Sequence, residues 1–107
     1  MKLLGFTETH VFTKKIVTLL TDDRLAELQI FLCENPDFGK LVKGSGGLRK
    51  VRWSDTGKGK SGGIRVIYYW AVSRDKIVFL DVYSKSEKDD LTEIELRTIR
   101  RIAESFK

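Results

Sequence analysis

The residues able to do chemistry in this chain are mostly cations. From Lys40 to Arg65, lysines and arginines are interrupted mainly by glycine and by a single acid, Asp55. Lys50 and Arg52 alternate with Val51 and Trp53, so a strand here places the two cations on one face and Arg49, Val51 and Trp53 on the other. Lys58 and Lys60 sit among glycines that permit close backbone approach to a ligand. Arg65 is the only charge in the apolar run IRVIYYWAV. Burying a guanidinium alone is costly, so Arg65 needs a partner. Either it meets a carboxylate, Asp81 or Glu87, or it faces a phosphate, which a guanidinium fork grips with two hydrogen bonds. Tyr83, Lys85 and Glu87 close a later apolar run and are placed to line the sheet end beside that arginine.

Other chemistries lack their residues. One histidine, His10, and one cysteine, Cys33, stand 23 positions apart and do not form a metal-ligand spacing. GKGKSGG lacks the four-residue gap of a phosphate-binding P-loop, and no Gly-x-Ser-x-Gly elbow is present. Cys33, between Leu32 and Glu34, reads as a core or neutral thiol, and His10 as a surface or capping residue. Neither a metal nor a cofactor is expected.

The elements that must hold these residues follow from periodicity. Lys2–Thr7 reads as a strand, and Thr9–Leu20 as a short amphipathic helix through Phe12, Ile16, Leu19 and Leu20. Thr21, followed by Asp22 and Asp23, opens a second helix with the stripe Leu25, Leu28, Phe31 and Leu32, which Asn35-Pro36 ends. Leu48–Trp53, Ile64–Val72 and Ile77–Tyr83 read as three strands of a meander. A capping-box pair, Thr92 and Glu95, starts a last helix over Glu93–Phe106, with Leu96, Ile99, Ala103 and Phe106 as its packing stripe. The order β-α-α-β-β-β-α predicts an α+β fold: a small single domain over residues 1–107, with an antiparallel sheet and helices on one face. At 107 residues and 41% apolar side chains the chain suffices for one core. Its net charge of +5 suits a polyanionic partner. No apolar run reaches the length of a membrane span, and cytoplasmic residence is the simplest expectation.

The run GSGGLRKVRWSDTGKGKSGGIRVIYYW resembles the RelE superfamily of bacterial toxins, in particular its HigB-like branch. ENPDFGKLVKGSGG upstream, VYSKSEKDDLTEIE downstream and the N-terminal FTETHVF extend the similarity over nearly the whole chain. The resemblance implies a compact sheet with helices packed on one side. It also implies a toxin that enters the ribosomal A site, cleaves the messenger codon there and is silenced by an antitoxin, usually a helix-turn-helix protein.

The implied reaction is metal-free: the 2′-hydroxyl attacks the adjacent 3′ phosphate and leaves a cyclic phosphate. On this resemblance Arg65 stabilises the phosphorane, while Lys50 and Arg52 hold the phosphate and neighbouring backbone. Arg49, Lys58 and Lys60 join Arg52 in binding RNA. Lys85 neutralises the leaving group or binds phosphate, and Tyr83 is a candidate to stack on a codon base. The general base stays open between Glu87 and a lysine whose pKa neighbouring cations depress. Two other readings belong to the same fold: a toxin that inhibits DNA gyrase without cutting nucleic acid, and an inactive RNA-binding relative.

Overall fold

The computed structural model describes residues 1–54 and 63–107. Within them the chain runs β1 (Gly5–Glu8), α1 (His10–Ile16), α2 (Asp22–Glu34), β2 (Lys40–Leu41), β3 (Arg49–Trp53), β4 (Ile64–Ala71), β5 (Lys76–Ser84) and α3 (Glu93–Glu104), with a 3₁₀ turn at Val72–Arg74. The strands form one five-stranded sheet in the order β1-β5-β4-β3-β2.

Local signals set the helix starts. The Thr9 hydroxyl accepts the Phe12 N–H and donates to the Leu80 carbonyl at 2.8 Å, so one cap both starts α1 and fastens it to β5. Thr21 accepts the Arg24 N–H at the head of α2. Thr92 and Glu95 exchange both hydrogen bonds of a capping box at the head of α3. The chain leaves α2 at Asn35-Pro36, where a proline disfavours helical backbone before it. Tyr68 then anchors the exit: its hydroxyl donates to the Pro36 carbonyl at 2.8 Å and accepts the buried Gly39 N–H at 2.9 Å.

The α+β class holds, with two corrections to its details. The sheet is mixed, because β1 pairs with β5 in parallel while the other pairings are antiparallel. Parallel neighbours need a long crossover, and the segments between β1 and β5 provide it. The helices also cover both faces. On one side Phe12, Ile16, Leu28 and Leu32 of α1 and α2 pack with Val66, Tyr68, Ile77 and Phe79. On the other, Ile99 and Ala103 of α3 pack with Ile67, Val78 and Leu80, the alternate residues of the same strands. β4 and β5 are apolar on both faces, so each face must be covered. β2 is an addition that its two residues gave no pattern to reveal.

One irregularity matters for the site. Ile67 pairs with Asp81 but Tyr68 with Phe79, so Leu80 is an extra residue in β5. Before it, Ile77 and Phe79 face α1 and α2; after it Val82 faces them, and Tyr83 turns to the α3 side.

Candidate nucleic-acid interface

Arg52, Arg65 and Tyr83 lie in one cross-strand row over β3, β4 and β5, paired in register and sharing the α3 side of the sheet. Lys50 lies two residues along β3 from Arg52, on the same face. Like charges directly opposite destabilise a sheet, so the Arg52–Arg65 pair calls for an anion. None of the described residues supplies one to Arg65. Arg65 is only 8% exposed, yet its Nη1 is buried without a hydrogen-bond partner among them. The Tyr83 hydroxyl, on a side chain with no exposure, is buried and unpartnered in the same way.

Neither carboxylate considered for Arg65 reaches it. Asp81 Oδ1 accepts Lys15 Nζ at 2.9 Å and the Val82 N–H at 2.8 Å. Glu87 is exposed in the turn after β5, where its backbone N–H bonds the Ser84 carbonyl. Lys85 is exposed at the start of the same turn, its N–H donating to the Gly63 carbonyl at 3.0 Å.

Arg49 departs from the expected set. It lies on the opposite face, where its Nη1 donates to the carbonyls of Asp37 and Gly39 at 3.0 and 2.8 Å. Those bonds hold the chain between α2 and β2, so Arg49 is structural, as the alternation along β3 requires. Lys58 and Lys60 lie outside the described residues. His10 is an exposed first residue of α1, and Cys33 Sγ accepts the Leu4 N–H at 3.5 Å.

Stacking by Tyr83 is also corrected, because its ring is buried against α3 and Lys88 Nζ stands 5.2 Å from the ring centre. Burial pushes the phenol up to about 12, with Asp90 adding to the rise and Arg65 opposing it. A phenol so shifted stays neutral near pH 7 and acts as a hydrogen-bond donor.

Sequence reasoning passed over two residues between β5 and α3. Lys88 pairs with Glu95 at 2.5 Å, a bond that, with the Thr92 N–H, holds the Glu95 carboxyl below its ordinary range. Asp90 Oδ1 sits 3.4 Å from Lys50 Nζ. The signal available was the charge run Lys85–Asp90, between two apolar elements and next to a basic sheet end.

Arg65 and Arg52 also line a cleft of about 690 Å³ between α2 and the ends of β3 and β4. Trp53 forms part of its wall, with the Arg24 guanidinium 5.2 Å from its ring centre. Its wall carries three arginines, Arg24, Arg52 and Arg65, and two glutamates, Glu27 and Glu34. Arg24 is paired with Glu27, so an anionic ligand would be met by Arg52 and Arg65. No group of three or more His, Cys, Asp or Glu able to hold a metal occurs among the described residues, and no helix there is long and apolar enough to cross a membrane.

Comparisons with known proteins identify the class as that of small toxins of toxin-antitoxin systems. Residues 38–107 match the family described as RelE toxin of the RelE / RelB toxin-antitoxin system. The chain belongs to this RelE toxin family. Its fold is similar to that of a mutant E. coli RelE toxin in the free state, at a TM-score of 0.63 and 12% identity, covering 94% of this chain and 97% of that one. It is likewise similar to the isolated E. coli RelE toxin, at a TM-score of 0.60 and 16% identity, covering 92% and 98%.

Proposed function

We propose that this protein, a single-domain member of the HigB-like branch, is a ribosome-dependent messenger-RNA endonuclease, the toxin of a module whose antitoxin is a helix-turn-helix protein. The observation that carries the reading is the row Arg52–Arg65–Tyr83, with two buried donor atoms left without partners. A phosphate offers acceptor oxygens to both donors and a charge that the two arginines attract.

In the proposed reaction the 2′-hydroxyl loses its proton and attacks the adjacent phosphorus. The bond to the leaving 5′ oxygen then breaks, giving a 2′,3′-cyclic phosphate and a 5′-hydroxyl. Arg65 stabilises the phosphorane and Tyr83 donates to one of its oxygens. Lys50 and Arg52 hold the flanking backbone, and Lys58 and Lys60 extend that grip. Lys85, exposed at the same end of the sheet, neutralises the leaving oxygen. Proton removal falls to Glu87 or to a lysine of the cluster. A ribosomal target places the protein in the cytoplasm.

The test is a reconstituted translation reaction in which 5′ ends on the messenger are mapped for the wild type and Arg65→Ala. We expect ribosome-dependent cleavage within codons that falls about 100-fold or more in the variant, the usual loss when a principal charge stabiliser is removed. Intact messenger with the wild-type protein would refute the nuclease reading and return gyrase inhibition, or an inactive relative, to first place.

A further inference from the structure

Arg65 Nη1 and the Tyr83 hydroxyl are buried, so a ligand reaches them only when what covers the site gives way. The chain between β5 and α3 brings charge of both signs to this place: Lys88 over the Tyr83 ring and Asp90 beside Lys50. We propose that Asp90 is a displaceable internal counter-ion, its carboxylate holding in the free protein the anion position beside Lys50 that a substrate phosphate takes in the complex. The proposal rests on the functional reading above and adds to it a residue that governs substrate affinity.

The geometry carries the argument. The Lys50 side chain is only 26% exposed, while that of Asp90 is 68% exposed. The cation is thus set into the sheet, whereas the anion reaches it from an exposed stretch of chain. Asp90 Oδ1 is shared, since it also accepts the Leu91 N–H at 3.1 Å. The pair is long, at 3.4 Å, and exposed pairs of this kind hold weakly. Releasing Asp90 to water therefore costs little. An arriving phosphate brings more acceptor oxygens than the carboxylate and also meets the unpartnered donors of Arg65 and Tyr83. In the free protein the carboxylate offsets the repulsion among Lys50, Arg52 and Arg65, which share one face.

Asp90→Asn keeps the size of the side chain and removes the charge. The probe is a short unstructured RNA carrying 2′-O-methyl groups, so that it binds without being cut. Binding is measured at one fixed salt concentration for the wild type, Asp90→Asn, Lys50→Met, the double variant and Arg65→Ala, with circular dichroism checking each fold. We expect Asp90→Asn to bind about two- to fivefold tighter than wild type, the range that release of a weak ion pair gives. In the Lys50→Met background that gain should vanish.

Binding by Asp90→Asn equal to or weaker than wild type overturns the proposal. A gain that persists undiminished with Lys50→Met overturns it too, since the effect is then one of net charge. Loss of messenger cleavage by Asp90→Asn in the translation reaction, at unchanged binding of the probe, overturns it by assigning Asp90 to proton removal. Failure of every variant to bind the free RNA overturns it, while the functional reading stands or falls separately by cleavage in the translation reaction. If Arg65→Ala binds and cleaves as wild type while the Lys50-dependent gain is seen, the role of Asp90 stands and the role of Arg65 fails.

Discussion

Replacing Tyr83 by phenylalanine removes one oxygen atom, and the structure gives the change opposite signs for stability and for activity. The hydroxyl is buried with no hydrogen-bond partner, on a side chain with no exposure. A buried unpaired polar group costs about 1–3 kcal/mol. Phenylalanine occupies nearly the same space among Leu48, Ile67, Leu80 and Ile99, so no cavity opens to offset the gain. Taking the lower end of that range, Tyr83→Phe should stabilise the protein by ~1 kcal/mol, which raises the melting temperature by about 4 °C at this size. Urea unfolding should show a higher midpoint at an unchanged slope. Cleavage in the translation reaction should fall by about 100-fold, as when one donor to a charged transition state is lost. A destabilisation beyond ~1 kcal/mol would refute the reasoning, because the hydroxyl would then be bonded in the folded protein. Greater stability with undiminished cleavage would keep the structural half and remove Tyr83 from the reaction.

Tyr68→Phe should show the reverse stability effect: its hydroxyl serves both the Pro36 carbonyl and the buried Gly39 N–H, so its loss should cost about 1–3 kcal/mol in urea unfolding. A neutral result would mean that water replaces both bonds. Glu95 makes a pH prediction. Its carboxyl is held below the ordinary range by the hydrogen bond from Lys88 and then by the Thr92 N–H. The stability it contributes is therefore present above the ordinary carboxyl value of 4.5 and lost as pH falls through the lower folded value. Glu95→Gln should narrow its gap from wild type as unfolding is followed from neutral to acid pH, and a constant gap would rule the linkage out.

Much of this arrangement is legible in the chain because it depends on neighbours in sequence. Thr21 and the Thr92–Glu95 pair mark helix starts because capping is settled within three residues. Arg65 stands out because a lone charge in an apolar strand needs a partner, and Lys50 with Arg52 follow from strand alternation. Alternation also sets Arg49 on the far face, where it braces two carbonyls, whereas the RNA-binding role expected of it came from the family resemblance and not from its face.

Neighbours along the chain thus settle the set of elements and the cations they carry. Tertiary structure decided which of those residues meet. Strict alternation along β5 would leave Tyr83 on the side of Ile77 and Phe79, and the extra residue Leu80 turns it to Arg65. The parallel pairing of β1, the seat of α3 on the second face and the reach of Asp90 to Lys50 across 40 positions likewise depend on distant partners. Periodicity reports which face of an element is apolar. Register, bulges and the choice of partner come from the packing of whole elements, whose contacts link residues far apart in the chain.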